Sequence, residues 1–144
     1  MTFVVPFDGS PHAKSALRRA SEFGASLGES VVAITIIPNG NASYARQRGW
    51  LASDQSFDID TIVSTVRTQV HDVAPDATVE FERCSRHATG NRIAKPIRKF
   101  AKRNGASMVF IGSENAGRIV TTLSSVGGRI ATDNDYDLVI VRSD

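Results

Sequence analysis

The sequence predicts a single α/β domain, with a five-stranded parallel sheet that carries helices on both faces. Three observations lead to this fold class. The 144 residues match the usual size of one domain. Nearly continuous apolar runs recur along the chain, which is typical of strands buried on both faces. Amphipathic helix patterns separate these runs, and this alternation indicates right-handed parallel crossovers. No internal repeat or linker interrupts the pattern, so residues 1–144 are assigned to one domain.

The first third of the chain predicts a strand, a helix and a second strand. Thr2–Phe7 is a short apolar run. Ser10 and Pro11 then supply the N-cap and the first position of a helix. Apolar residues recur at steps of three and four up to Leu27, so this helix buries one face. Ser30–Ile37 is apolar almost throughout and predicts a second buried strand.

The middle of the chain begins with a long connection, Asn39–Phe57, that has no clear periodicity. It exceeds the usual loop length inside a compact domain, so we expect a disordered or variable segment, with a mobile lid as the alternative. Ile59–Val70 then has the spacing of a second amphipathic helix. Ala77–Cys84 alternates apolar with charged residues, which predicts a strand at the edge of the sheet.

The last third predicts a helix with a basic outer surface over Arg92–Arg103. Pro96 leaves the start of this helix open, because proline removes a helical hydrogen bond. The remaining elements are a buried strand, a small-residue loop, a short helix and a last strand, at Ser107–Ile111, Gly112–Leu123, Ser124–Thr132 and Leu138–Val141.

Composition and charge exclude several classes of function. The 17 basic and 15 acidic side chains give a net charge of +2, too close to balance to indicate a nucleic-acid partner. The basic face of the third helix lacks the interleaved aromatic residues of a nucleic-acid platform, so we interpret it as solvated. The lone Cys84 cannot form an internal disulfide, and neither a signal peptide nor a membrane-spanning run is found. We therefore expect a cytoplasmic protein without a membrane partner.

Motifs for efficient catalysis are also missing. The sequence has no GxSxG elbow, no Walker lysine loop and no HExxH pair. His12, His71 and His87 lack metal-ligand spacing with Cys84, so no protein metal site is expected. Any hydrolysis would be slow at most.

Two strand ends carry the candidate ligand site. In open parallel sheets, ligands bind beyond the carboxyl ends of strands where the strand order reverses. Asp8 follows the first strand directly, and a Gly/Ser-rich loop after Ile111 leads into a helix whose free N–H groups could receive phosphate. Asp8 as a plain turn residue is the alternative.

The residues at these strand ends carry a family resemblance. Val4–Ala16, reading VVPFDGSPHAKSA, and the closing Ala106–Val141 resemble the two signature regions of universal stress proteins. Gly90 and the run ASMVFIGS agree with the same family. The resemblance implies the strand order 3-2-1-4-5 of the adenine nucleotide alpha hydrolase-like fold. In one branch of the family it also implies ATP at the first and fourth strand ends.

The resemblance also assigns roles to individual residues. It places Asp8 on the base or ribose side, with Ser124, Ser125 and neighbouring backbone at the phosphates. The full candidate set comprises Pro6, Phe7 and Ile36 for the base pocket, Asp8 on the base or ribose side, Ile111 and Gly112 below the sugar and phosphates, and Glu114, Asn115, Ser124, Ser125 and Val126 in the phosphate loop.

The phosphate loop departs from the family pattern of glycines. Gly112 is kept, but Asn115 and Ser124 stand at the second and third glycines, and the spacer is one residue shorter. Ser125 matches the terminal hydroxyl. Side chains hinder close backbone approach to phosphate. Glu114 would repel phosphate, or could hold a magnesium ion that enters with it.

Two functions therefore remain open. The first is a nucleotide-binding signalling or stress-response protein that holds ATP, with magnesium, and catalyses little or nothing. The second is an interaction module of the same fold with a degenerate phosphate loop. Both include a homodimer through Tyr136–Arg142, because an apolar edge strand invites pairing unless Asp137 and Arg142 shield it.

Overall fold

The computed structural model describes residues 2–86, 91–113 and 136–142. Its sheet has five parallel strands in the order β3-β2-β1-β4-β5. This confirms the predicted fold class and strand order. The strands are β1 Thr2–Pro6, β2 Ser30–Pro38, β3 Thr78–Cys84, β4 Ala106–Gly112 and β5 Asp137–Val141, and the helices are α1 Pro11–Leu27, α2 Ala42–Gln47, α3 Ile59–Val73 and α4 Asn91–Arg103.

Alternating side chains of the strands build two buried clusters, one on each face of the sheet. Phe3 and Val5 of β1 point to the cluster shared with α1 and α3. Val4, between them, joins the cluster under α4 together with Ile97 of that helix. All three β1 residues are at most 2% exposed. The central strand is therefore covered on both faces, as its unbroken apolar sequence predicted.

Helix α1 begins and ends where the sequence places its caps. The Ser10 hydroxyl accepts a hydrogen bond from the Ala13 N–H at 3.2 Å, and Pro11 occupies the first helical position. At the other end Gly28 adopts φ +70° and its N–H bonds to the Gly24 carbonyl. A left-handed residue of this kind favours glycine and ends the helix. These two caps fix the direction in which α1 leaves the end of β1.

The connection 39–57 contains a short helix, α2, that the sequence analysis did not predict. Asn41 caps it by accepting from the Tyr44 N–H at 2.9 Å. Six residues are too few to show a helical period, which is why the pattern was missed. Trp50 anchors the segment, for its side chain is only 1% exposed. The mobility of the segment stays a prediction.

Helix α4 continues through Pro96 and spans residues 91–103. The proline gives up its own helical hydrogen bond, and the helix is kept by its packing, in which Ile97 and Phe100 are at most 5% exposed. The predicted helix Ser124–Thr132, and the loop before it from residue 114 onward, lie outside the described residues. Within the described ranges, no helix combines the length and the apolar character that crossing a bilayer requires.

Candidate functional site

Asp8 lies at the carboxyl end of the central strand, in the turn between β1 and α1. The chain is held there by two bonds from β2: the Phe7 N–H donates to the Ile34 carbonyl at 2.9 Å, and the buried Thr35 hydroxyl donates to the Phe7 carbonyl at 2.8 Å. The Asp8 carboxylate accepts the Ser10 N–H at 3.0 Å. Its side chain remains 23% exposed. The turn thus presents a fixed carboxylate to solvent.

The strand order reverses between β1 and β4, so this end of the sheet is its topological switch point. Gly112, the last residue of β4, lies against the first turn of α1. A Cβ added at Gly112 would come within 2.7 Å of the His12 Cβ and of the His12 carbonyl oxygen. The missing side chain therefore lets β4 approach the helix that begins just after Asp8. The two predicted site residues Asp8 and Gly112 lie at the carboxyl ends of the two strands that border this switch point, Asp8 just after β1 and Gly112 as the last residue of β4.

Arg48 is a site residue that the sequence analysis missed. It follows α2 and its Nη1 lies 3.0 Å from the Asp8 carboxylate, with 31% of the Arg48 side chain exposed. The guanidinium also lies over the Tyr44 ring, 4.8 Å from its centroid. Burial raises the pKa of Tyr44, Arg48 opposes that rise and Asp8 adds to it. Tyr44 therefore keeps its phenolic proton at neutral pH. The cation beside Asp8 is the Arg48 guanidinium.

Trp50 and Gln69 pack beside the Asp8 turn from the side of α3. A Cβ added at Gly9 would lie 2.9 Å from Gln69 Oε1 and 3.3 Å from Trp50 Nε1. Gly9 also has φ +82°, a left-handed conformation that favours glycine. The two side-chain atoms are buried, and neither meets a hydrogen-bond partner within the described part of the chain. The segment 39–57 is thus packed directly on the turn that positions Asp8.

The residues predicted for the base pocket, and Ile111, predicted below the sugar and phosphates, are distributed over both faces of the sheet. Phe7 is 3% exposed and packs with α1 and α3. Ile36 and Ile111, at 5% and 1%, belong to the cluster under α4. Pro6 is half-buried at the end of β1. The side chains of Phe7, Ile36 and Ile111 therefore act as core below the site, and backbone at the strand ends forms its surface.

The predicted phosphate-loop residues are not among those that the structure describes. Glu114, Asn115, Ser124, Ser125 and Val126 all lie outside the described residues. The described part of the site therefore consists of the Asp8 turn, the end of β4 and Arg48. One signal could have pointed to the missed segment: Trp50 is the single tryptophan of the chain, placed in a stretch without periodicity. A tryptophan side chain has a large apolar area to bury, so it can fix a segment that shows no helical or strand period.

Metal binding by the protein itself finds no support in the described residues. Among them no three His, Cys, Asp or Glu side chains come together as ligands. His12 and Cys84, which the sequence analysis considered, lie apart: His12 beside the end of β4 and Cys84 at the end of β3. The described part of the site offers one carboxylate, Asp8, and one guanidinium, Arg48, for contacts with polar and charged groups.

Comparison with known proteins agrees with the fold. No curated protein sequence matches the chain. A universal stress protein in complex with cAMP is 20% identical, with a TM-score of 0.58 over 100% of this chain and 98% of its own. One from Archaeoglobus fulgidus in complex with dAMP is 16% identical, with a TM-score of 0.54 over 97% and 95%. One from Burkholderia pseudomallei is 15% identical, with a TM-score of 0.55 over 99% and 96%.

At these identities the solved structures establish the fold alone, and the family follows from the sequence itself. The model of the universal stress protein family matches residues 1–142. That range holds the Asp8 turn, the end of β4 and almost the whole chain. The protein belongs to the universal stress protein family.

Proposed function

We propose that this protein binds an adenine nucleotide at the switch point between β1 and β4 and uses the bound state as a signal, with little or no catalysis. The observation that carries the proposal is the Asp8 carboxylate, fixed by the Ser10 N–H and still 23% exposed at this position. Support comes from the solved relatives, of which one is in complex with cAMP and one with dAMP. ATP with magnesium is the ligand we would test first.

The two charges at the site suit the two ends of such a ligand. An exposed carboxylate accepts hydrogen bonds from ribose hydroxyls or from the exocyclic amine of adenine. A guanidinium recognises phosphate oxygens in a planar, bidentate manner. Arg48 lies 3.0 Å from Asp8, so both functions are available within a few ångströms. The loop after β4 carries Glu114 and lacks two family glycines, and both departures lower the affinity expected for phosphate. The Arg48 guanidinium would compensate part of this loss.

Calorimetry with purified protein and magnesium ATP tests the proposal, with cAMP and dAMP titrated in parallel. Asp8→Asn keeps the shape and one acceptor oxygen but removes the charge. A hydrogen bond to a charged group contributes about 1.5–3 kcal/mol, so we expect the Kd to rise roughly tenfold or more. Trp50, the single tryptophan, packs beside Gly9 and supplies a fluorescence signal for the same titrations.

The matched control is Asp72→Asn, which removes the same charge from an exposed position near the end of α3. This variant should bind nucleotide like the wild type. Circular dichroism verifies that each variant is folded before it is titrated. Wild-type protein that gives neither heat nor a fluorescence change at millimolar nucleotide would refute nucleotide binding.

The second candidate is an interaction module of the same fold that holds no nucleotide. A specific observation favours it: Arg48 already occupies the Asp8 carboxylate, and Phe7, Ile36 and Ile111 are all at most 5% exposed. The output would then be association, and we propose a homodimer through Tyr136–Arg142. Absorbance at 260 nm of the purified protein, followed by acid extraction, separates the two candidates, because tightly bound nucleotide remains through purification.

A further inference from the structure

A groove lies at the β3 edge of the sheet, between this strand and α4. It has a volume of about 480 Å³ and is lined by Glu82, Cys84, Ser85, Lys95, Pro96, Lys99 and Arg103. Its origin is visible in the strand sequence. Cys84 points towards the α4 side, and Glu82, two residues earlier, shares that side because side chains alternate along a strand. These positions offer α4 no large apolar contact, so a groove remains between the helix and the edge strand.

The wall of the groove on α4 is a regular line of cations. Lys95, Lys99 and Arg103 follow one another at four-residue steps, which places them about 6 Å apart along one side of the helix. Arg103 pairs with Glu82 across the groove. Lys95 and Lys99 are exposed, and within the described ranges neither has a carboxylate partner. The lining therefore carries an excess of two positive charges beside a half-buried thiol.

We propose that this groove is a second binding site, which takes a small molecule bearing a phosphate or diphosphate group. The excess charge matches such an anion, and Pro96 with Cys84 provides an apolar floor for the organic part. The volume lies in the range of small-molecule sites. The groove lies on β3, two strands from β1, which corresponds to about 10 Å between the two strands. The experiment below therefore includes Asp8→Asn, which separates this proposal from nucleotide binding at the switch point.

Cys84 gives this site its own reporter, because it is the single cysteine of the chain and lines the groove. The experiment measures the rate at which a thiol reagent modifies Cys84 during titration with inorganic pyrophosphate at constant ionic strength. We expect pyrophosphate to slow the modification with a saturating dependence. Sodium sulfate and adenosine, titrated separately, distinguish a preference for phosphate from general anion binding and from binding of a base.

Charge variants locate the effect. Lys95→Gln combined with Lys99→Gln should raise the pyrophosphate Kd at least tenfold. Arg18→Gln combined with Arg19→Gln removes the same charge from exposed positions on α1, and should leave the Kd unchanged. Asp8→Asn should also retain full protection of Cys84, which keeps this site apart from the nucleotide proposal. Protection that is equal in both double variants, absent at millimolar pyrophosphate, or equally strong with sulfate or with adenosine would overturn the proposal.

Discussion

At Gly112 the chain has no room for a side chain, although the backbone there is not left-handed. The added Cβ would meet the His12 backbone at 2.7 to 2.8 Å, closer than real Cβ atoms approach other atoms. A backbone neighbour cannot turn away as a flexible side chain can. The sequence analysis placed Gly112 below the sugar and phosphates by resemblance. Its described contacts give it a structural task as well, which is the close packing of β4 on α1.

Gly112→Ala should therefore destabilise the protein without any ligand present. Overpacking of this kind costs about 1–3 kcal/mol, and we expect about 2 kcal/mol of unfolding free energy to be lost in urea denaturation. Gly105→Asn is the matched control. Gly105 has φ +63° and open space around its Cα, and asparagine tolerates that conformation, so little change is expected. Equal stability of Gly112→Ala and wild type would show that the end of β4 can move away from α1.

Helix α2 and the residues after it form an element that is anchored by one side chain. Trp50 is 1% exposed and meets the Tyr44 ring edge-on at 5.9 Å between centroids. Arg48 between them reaches Asp8. The burial of Trp50 thus sets the position of the Arg48 guanidinium beside the candidate site. Through these contacts the segment 39–57 connects the core on the α3 side of the sheet with the carboxyl ends of the strands, where the candidate site lies.

Trp50→Ala should release this element. Removing a buried tryptophan costs about 3–5 kcal/mol. We expect trypsin to cleave after Arg46 and Arg48 roughly tenfold faster or more, since proteolysis follows the population of the opened segment. Mass spectrometry of the fragments over time identifies the sites. Leu27→Ala, at a position 59% exposed, should leave the cleavage pattern unaltered. Protection of both arginines in Trp50→Ala would contradict the anchoring role.

The elements differ in how far the sequence could predict them. The long helices α1 and α3 were predictable because their apolar residues repeat with a clear period, and the buried strands were predictable because their apolar runs are nearly continuous. The six-residue α2 carries no period, and its position depends on Trp50 finding a place beside Gly9 and Gln69. Asp8 was predictable from its place after β1. Arg48 was not, because its pairing with Asp8 joins residues forty positions apart.

Across the whole molecule the two edges of the sheet are treated differently. The β3 edge alternates Thr78, Glu80 and Glu82 with apolar residues, and such charges discourage further strand pairing. The β5 edge instead exposes Ile140, whose side chain is 49% accessible. Within the described residues β5 pairs with β4 alone. Its other backbone edge is the place where a second copy would add, as the proposed homodimer requires.

Ile140→Lys tests the homodimer, because a charge in the centre of a small apolar strand interface has to be desolvated on association. If the dimer forms through Tyr136–Arg142, this variant should shift the mass measured by size-exclusion chromatography with light scattering from about twice to about once the chain mass of 15.5 kDa. Leu27→Lys places the same charge on the exposed end of α1 and should leave the dimer intact. The first turn of α1 lies beside the end of β4 that pairs with Ile140, and Leu27 is the last of 17 residues, so it lies about 20 Å further along the helix. A wild type that is monomeric at high micromolar concentration, or an Ile140→Lys variant that stays dimeric, would remove β5 as the interface. If the wild type is monomeric, Asp137 and Arg142 suffice to shield the β5 edge, with its exposed Ile140, from pairing with a second copy.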